Sequence, residues 1–108
     1  VGTGVCIVLS GKEDRAFVTQ VGATGRLSVS HLAKVSEILR SPECSSLSLH
    51  VSGFYSCATL RPDLPAFLKQ VRREADEAGK KICISFDTNC DASEQWDGGV
   101  LECLRESD

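Results

Sequence analysis

The first part of the chain alternates short apolar runs with turn-forming residues. Residues 5–9 are apolar and largely β-branched, a polar segment containing Gly11 follows, and residues 16–21 form a second strand-type run. Two such runs joined by a short polar loop with a glycine predict a β-hairpin at the start of the chain.

The next segment changes from the period of a helix to that of a strand. We predict a helix with Ser30 as its N-cap that ends at about Arg40, because Ser41-Pro42 does not continue it. The apolar positions that share one face of this helix are Leu32, Val35, Ile38 and Leu39. Residues 47–51 then alternate apolar and polar side chains, which predicts a half-buried strand.

The clearest helix in the sequence begins after Asp63, its predicted N-cap, has Pro65 in its first turn and ends at Gly79. Its apolar stripe comprises Leu64, Phe67, Leu68, Val71, Ala75 and Ala78. A short buried strand is predicted at residues 82–86, and a last helical stretch is expected around Leu101.

After the hairpin, helices and strands therefore alternate in the order α-β-α-β-α. This order predicts an α/β fold with a mostly parallel, Rossmann-like sheet, flanking helices and an N-terminal β-hairpin. Three or four strands make a thin sheet for a complete domain, the sequence contains no Met, and it opens directly on a strand. We therefore expect residues 1–108 to be an internal fragment of a single α/β domain.

Composition excludes two kinds of partner. The formal net charge is −3 and Lys and Arg form no basic cluster, so nucleic acid is not an expected partner. No apolar run approaches the length of about 20 residues that crosses a bilayer, so no membrane partner is expected either.

The six cysteines leave two interpretations open. A short chain with an even number of cysteines can hold a disulfide framework. However, Cys6 and Cys83 lie within apolar strand-type runs, Cys103 falls among helical core positions, and the chain has no CxxC pair. We therefore favour reduced, mostly buried thiols, which indicate a reducing compartment such as the cytoplasm.

Two loops stand where parallel α/β sheets place their ligands, beyond the carboxyl ends of strands. They cover residues 52–56 and residues 87–91. In the second loop, Asp87 and Asn89 place a carboxylate and an amide where a phosphate or a metal ion could be held. The alternative is structural: Asp87 caps the turn and Asn89 adopts an unusual backbone conformation.

Aromatic residues in and near these loops carry the same two interpretations. Gly53 would allow a ligand close to the backbone, and Tyr55 could hydrogen-bond to it or stack on it, whereas Phe54 fits better as a residue packed under the following helix. Trp96, the single Trp, is expected in the core rather than in a ligand site. No nucleophile–His arrangement or glycine-rich phosphate loop is supported by the spacing.

Several short motifs follow one another through the chain. They are Thr3-Gly4 at the first strand, Asp14-Arg15 in its turn, Val21-Gly22-Ala23, His50-Val51-Ser52-Gly53-Phe54-Tyr55, Ile84-Ser85-Phe86-Asp87-Thr88-Asn89 and Trp96. In this order and spacing they resemble the central segment of the ribokinase-like (PfkB) carbohydrate kinase family. The resemblance spans essentially the whole chain, although each motif by itself is weakly specific.

The resemblance implies a ribokinase-like fold and an ATP-dependent sugar kinase, with ATP and Mg²⁺ as cofactors and a small-molecule sugar and a nucleotide as partners. Gly53, Phe54 and Tyr55 would then border the sugar, and Asp87 and Asn89 would lie in the phosphate and metal region. The family's Gly-Ala-Gly-Asp motif, which carries the catalytic base, is absent from this sequence. We therefore assign no catalytic residue and expect this chain alone to be inactive; a homodimer is compatible with the resemblance.

The chain departs from the family pattern at two places. Thr24 stands where Asn is usual, and Cys90-Asp91 replaces a Tyr-Arg pair found in the branch that acts on an acidic sugar. Because Asp91 would repel a sugar carboxylate, we expect a neutral sugar. The alternative to a kinase fragment is a complete, non-catalytic Rossmann-type binding or interaction domain.

Overall fold

The alternation of helices and strands expected from the sequence is present in the computed structural model, which describes residues 2–108. The strands are β1 (Val5–Ser10), β2 (Arg15–Gln20), β3 (Ser46–Val51) and β4 (Lys81–Phe86). The helices are α1 (Ala33–Arg40), α2 (Leu64–Glu77) and α3 (Val100–Arg105), with 3-10 turns at Gly22–Arg26, Val29–Leu32 and Phe54–Ser56. No helix within residues 2–108 is long and apolar enough to cross a membrane. The mixed α/β class is confirmed.

β1 and β2 form the expected antiparallel hairpin as a two-stranded sheet of its own, with Ile7 opposite Val18. Every residue of both strands is exposed. One face of the hairpin is aliphatic, and four of its residues, Val5, Ile7, Leu9 and Val18, each leave more than half of their surface open to solvent. A two-stranded hairpin is marginal in water without a covering layer. The described residues provide no such layer, so this hairpin face is an unpaired apolar surface.

β3 and β4 pair in parallel, with Leu49 beside Ile84. A parallel pair needs a long crossover connection, and α2 supplies it. Alternate side chains of both strands point towards the helices, and the others point outward. On the outward face His50 Nδ1 lies 2.8 Å from Ser85 Oγ across the two strands. The alternation predicted for residues 47–51 is therefore confirmed.

The core lies between α2 and the apolar face of the parallel strands. Leu68, Val71 and Ala75 of α2 and Ile84 of β4 are each 0% exposed. Full burial of one Leu or Ile side chain contributes about 1.5–3 kcal/mol. Ala78, which was expected on the same stripe, is exposed because it lies at the C-cap of α2, beyond the last turn that faces the sheet.

The first helix does not begin at Ser30. Ser28 is the N-cap of the preceding 3-10 turn: its N–H donates to His31 Nδ1 at 3.2 Å, and its hydroxyl lies 2.8 Å from the same nitrogen. α1 then starts at Ala33 without a side-chain cap. The prediction of Ser30 as N-cap is wrong because the reciprocal contact of Ser28 and His31 starts the helical segment two residues earlier, as a 3-10 turn.

Both ends of α2 lie where the sequence predicts them. Asp63 occupies the N-cap position, although its side chain makes no capping hydrogen bond. At the other end Gly79 has φ +67°. The N–H of Gly79 donates to Asp76 O at 3.0 Å, and the N–H of Lys80 donates to Ala75 O at 2.9 Å. This pair of bonds is a Schellman motif, and it turns the chain from α2 into β4.

The side chain of Lys80 joins the start of β4 to the end of α1. Its Nζ donates to the carbonyl of Leu39 and, at 2.6 Å, to that of Ser41. The C-terminal end of a helix leaves carbonyls unpaired and favours a nearby cation. Lys80 therefore holds α1 beside the α2–β4 connection.

Replacement of Lys80 by Met tests this link. We expect Lys80→Met to lower the free energy of unfolding by about 1–2 kcal/mol, because it keeps the aliphatic stem but removes charge-assisted hydrogen bonds. Urea denaturation at neutral pH measures the change. Lys81→Met is the matched control, since Lys81 is exposed. Equal losses in the two variants would contradict the assignment.

Asp108 lies against the edge of β4. Its N–H donates to Ile84 O at 2.8 Å, and its Oδ2 accepts from the N–H of Ile84 at 2.7 Å. Arg72 of α2 forms an ion pair with the same oxygen at 2.8 Å. The hydrogen bond from Ile84, followed by that from Arg72, lowers the pKa of the Asp108 carboxyl. Asp108 therefore ties the end of the described chain to both α2 and β4.

This ion pair predicts a particular pH dependence of stability. Because the folded-state pKa of Asp108 is lowered, its contribution is present above the unfolded pKa of about 3.9 and is lost as the pH falls through the lower folded value. We expect Asp108→Asn to be less stable than wild type by a constant amount at neutral pH, with the difference shrinking below about pH 4. Denaturation at a series of pH values measures it, with Asp76→Asn as the exposed control. A difference that persists unchanged into acid would contradict the expectation.

Candidate functional site

The two loops predicted to hold a ligand begin next to each other. β3 and β4 run in parallel, so their carboxyl ends meet at one edge of the sheet. The N–H of Asp87 donates to Val51 O at 2.8 Å, which continues the ladder by one bond beyond the strands. The structure therefore brings residues 52–56 and residues 87–91 together, as the topology of a parallel sheet requires.

Gly53 turns the chain out of β3, and Phe54 anchors the turn. Gly53 has φ +70°, a left-handed conformation that favours glycine. Phe54 is 1% exposed, and its ring lies 5.5 Å from that of Phe86 and 5.0 Å from that of Tyr55. The Phe54 side chain therefore belongs to the core.

Tyr55 is half-buried and connects the first loop to the segment after β4. Its hydroxyl donates to Asp97 O at 3.2 Å, and its ring meets the edge of Trp96 at 5.8 Å between centroids. The guanidinium of Arg61 lies 5.6 Å from the ring centroid, within range of a cation–π contact. Burial, followed by the negative charges of Asp91 and Asp97, raises the pKa of the Tyr55 phenol. Tyr55 is therefore a neutral donor at this edge.

Trp96 does not lie in the core. The side chain is 50% exposed and the residue has φ +51°, which is unusual for a bulky side chain. The N–H of Trp96 donates to Asp91 Oδ2 at 2.8 Å. The prediction of a core residue is wrong because this loop curls around Asp91, which leaves Trp96 on the surface beside Tyr55.

The Asp91 carboxylate is the centre of that loop. It is 6% exposed and accepts hydrogen bonds from the N–H of Ser93 at 2.9 Å and from its hydroxyl at 2.8 Å, besides that from Trp96. Burial raises the pKa of Asp91, but these hydrogen bonds outweigh it and leave the pKa below its ordinary value. The Asp91 carboxylate is therefore ionised at neutral pH, and its two oxygens hold the loop together. The neutral sugar expected from Asp91 and from the missing Arg stays a prediction.

Asp87 and Asn89 also use their side chains within the turn. Asp87 Oδ1 accepts from the N–H of Asn89 at 2.9 Å, and Asn89 Oδ1 accepts from the N–H of Cys90 at 2.8 Å. Asn89 has φ +58°, a conformation that Asn tolerates better than most residues. These contacts match the structural interpretation, in which Asp87 caps the turn and Asn89 adopts an unusual backbone conformation. Asp87 is exposed and keeps one carboxylate oxygen outside this turn.

The loop does not form a metal site by itself. Within residues 2–108 no group of three or more His, Cys, Asp or Glu side chains is placed to hold a metal ion. In phosphoryl-transfer sites Mg²⁺ is held by one or two carboxylates together with substrate phosphates. The free oxygen of Asp87 thus supplies at most part of such a site.

A cavity of about 250 Å³ lies where the hairpin joins the rest of the chain. It is lined by Thr3, Gly4, Val5, Cys6, Thr19, Gln20, Val21, Thr24 and Ser56. Four hydroxyl residues and the amide residue Gln20 therefore contribute to the lining of this open cavity, together with apolar surface that includes the two valines. Ser56 directly follows the loop segment assigned to substrate binding. Sequence reasoning did not assign these residues to a site, although Thr3-Gly4 and Val21 belong to the motifs of the resemblance and Thr24 stands where the kinase family has Asn.

Close packing of glycines fixes the root of the hairpin beside this cavity. Gly22 has φ +57°, and a Cβ added there would lie 2.6 Å from the backbone nitrogen of Gly4. The N–H of Ala23 donates to Gly2 O at 3.0 Å. A side chain at position 22 would force the two segments apart and open one wall of the cavity.

All six cysteines are free thiols. Cys57 and Cys103 are buried, whereas Cys6, Cys83 and Cys90 are exposed. The expectation of burial is wrong for Cys6, which lies on the uncovered hairpin, and for Cys83, which lies on the outward face of β4. Burial raises the pKa of Cys57, and burial together with the charge of Glu102 raises that of Cys103 to about 11.

No protein-family model, no curated protein and no solved structure matches this chain. The resemblance to ribokinase-like kinases therefore rests on the short motifs and their spacing.

The thiols provide a test of this burial pattern. We expect a charged thiol reagent to modify the exposed cysteines of the native protein and to spare Cys57 and Cys103, because the thiolate is the reactive form and burial disfavours it. Under denaturing, non-reducing conditions all six should react. Peptide mass mapping of both samples measures this, with Cys83 as the exposed reference. Rapid native labelling of Cys103, or a mass that reveals a disulfide, would refute the assignment.

Proposed function

We propose that this chain supplies the sugar-facing part of an ATP-dependent carbohydrate kinase of the ribokinase-like class. The observation that carries the proposal is the hydroxyl-lined cavity of about 250 Å³ between the hairpin and the 3-10 turn Phe54–Ser56. Its size suits a ligand smaller than the drug-sized molecules that occupy pockets of about 300–1,000 Å³.

The lining of the cavity suits a monosaccharide in particular. Thr3, Thr24 and Ser56 each offer a hydroxyl that donates one hydrogen bond and accepts others, which matches the mixed donor and acceptor pattern of a polyol. Val5 and Val21 offer apolar surface for the C–H groups of a sugar ring. None of the residues among 2–108 that line the cavity has a charged side chain, which favours a neutral sugar.

The loop after β4 would face the phosphate. Asp87 and Asn89 start at the same sheet edge as Gly53, and the free oxygen of Asp87 would provide one ligand for Mg²⁺ when a nucleotide is bound. The metal would neutralise charge on the transferring phosphoryl group. Residues of this chain would position the sugar and one side of that region; the base that deprotonates the sugar hydroxyl is not assigned to it.

The oligomeric state and the cellular compartment are two further parts of the proposal. A homodimer would form through the exposed hairpin face. Association of two such faces would bury their aliphatic side chains, and an isolated two-stranded hairpin is only marginally stable in water. The free thiols favour the cytoplasm as the compartment.

A non-catalytic Rossmann-type binding domain is the second candidate. It is favoured by the use of both Asp87 Oδ1 and Asn89 Oδ1 within the turn, which is the pattern of a structural loop. Such a domain would bind a ligand without transferring a phosphoryl group.

Sugar binding by this chain tests the proposal. We expect one or more neutral monosaccharides from a panel to bind in a calorimetric or NMR titration. Thr24→Val and Ser56→Ala should each weaken binding by about 0.5–1.5 kcal/mol, roughly two- to tenfold, because each removes a hydrogen bond to the sugar. Ser48→Ala, on the outward face of β3, is the matched control.

The outcomes separate the two candidates. Binding of a sugar that weakens in the Thr24 and Ser56 variants alone supports the cavity as the sugar site of the proposed kinase, a site that a domain binding only nucleotides would lack. Binding of a nucleotide without any sugar favours the non-catalytic domain. The absence of sugar binding, or equal weakening in Ser48→Ala, would overturn the assignment of the cavity.

A further inference from the structure

Asp97 and Gly98 form the one Asp-Gly pair in the sequence, which contains no Asn-Gly. Both residues are exposed. Two glycines follow Asp97 directly, and both have positive φ: +73° at Gly98 and +94° at Gly99. The backbone nitrogen of Gly98 is not shielded by a side chain of its own, and the chain beyond it has the torsional freedom of glycine.

The groups at this pair are less constrained than those at Asp14, Asp87, Asp91 and Asp108. Within residues 2–108 the Asp97 carboxylate makes no hydrogen bond or ion pair, and the N–H of Gly98 donates no hydrogen bond. In contrast, Asp14 and Asp87 accept bonds from nearby backbone N–H groups, and Asp108 is ion-paired. The side chain of Asp97 is therefore free to approach the next peptide nitrogen.

We infer that Asp97–Gly98 is a site of spontaneous isoaspartate formation. The Gly98 nitrogen loses its proton to solvent and attacks Cγ of the protonated Asp97 carboxyl. A C–N bond forms, a C–O bond breaks, and one water leaves, which gives a five-membered succinimide. Water then adds to the main-chain carbonyl of the ring and reopens it, so the chain continues through the former side chain. The water lost in the first step is regained in the second, and the mass of the protein is unchanged.

The modification acts on the contacts of Tyr55. The Asp97 carbonyl oxygen accepts the hydrogen bond of the Tyr55 hydroxyl, and Trp96, the preceding residue, packs against the Tyr55 ring. Isoaspartate adds a methylene to the main chain and turns the carbonyl at this point into a free carboxylate. The acceptor of the Tyr55 hydrogen bond then changes from a peptide carbonyl to a carboxylate outside the main chain, and Trp96 moves relative to Tyr55. This inference does not depend on the proposed kinase activity.

Ageing of the purified chain at neutral pH and physiological temperature tests the site. Peptide mapping with fragmentation that distinguishes isoaspartate should detect it at Asp97 before any other aspartate, without a change of mass. Asp97→Glu should abolish the product, because a glutamate would have to close a six-membered imide, which forms far more slowly. Asp97→Asn should accelerate it, since an amide is attacked more readily than an ionised carboxylate.

Two further readouts make the test decisive. Trp96 is the single Trp, so its fluorescence reports the aromatic contacts; its emission should drift at the rate of isoaspartate formation in wild type and stay constant in Asp97→Glu. Asp14→Glu, which changes another exposed aspartate, should leave the rate at Asp97 unaltered. Faster isomerisation at another aspartate, no isoaspartate at Asp97, or a fluorescence drift that persists in Asp97→Glu would overturn the inference.

Discussion

The packing of α2 on the apolar face of β3 and β4 is the interaction on which the rest of the structure depends. Leu68 and Val71 are completely buried against a sheet whose central side chain, Ile84, is equally inaccessible. Since α2 is also the crossover between the two strands, its burial brings them side by side in parallel. The loops of residues 52–56 and 87–91 then have to start at the same edge. The packing of the core therefore determines where the two loops of the candidate site lie.

The polar groups at that edge divide into those that build the loop and those left for a ligand. Asp91 gives both carboxylate oxygens to the loop that carries Trp96, and Asn89 accepts from the next peptide N–H. Of the four carboxylate oxygens of Asp87 and Asp91, the second oxygen of Asp87 accepts no hydrogen bond from the loop. The hydroxyl-rich cavity lies elsewhere, at the root of the hairpin, where Thr24 and Ser56 meet. A ligand that used both regions would therefore contact segments from the hairpin and from the parallel sheet.

The sequence was sufficient to predict elements in which buried residues recur at a regular spacing within the element itself, such as the apolar stripe of α2 and the alternation of β3. It was insufficient where burial depends on a distant segment. Trp96 is apolar, but the inward-facing Asp91 holds its loop so that the side chain stays at the surface. Cys6 lies in an apolar strand, yet no described layer covers it. The cavity combines Thr24 and Ser56 with residues at the start of the chain, and no local period marks such a combination.

The hairpin and the α2 core share little buried surface, because β1 and β2 are exposed throughout and the chain that follows them meets the core side at Gly25, whose carbonyl accepts hydrogen bonds from Thr59. Cooperative unfolding requires that the loss of one part exposes surface that stabilises another. We therefore expect the hairpin to open locally while the parallel sheet stays folded. Its amide protons would then exchange through that opening rather than through global unfolding, which the packing of α2 on β3 and β4 governs.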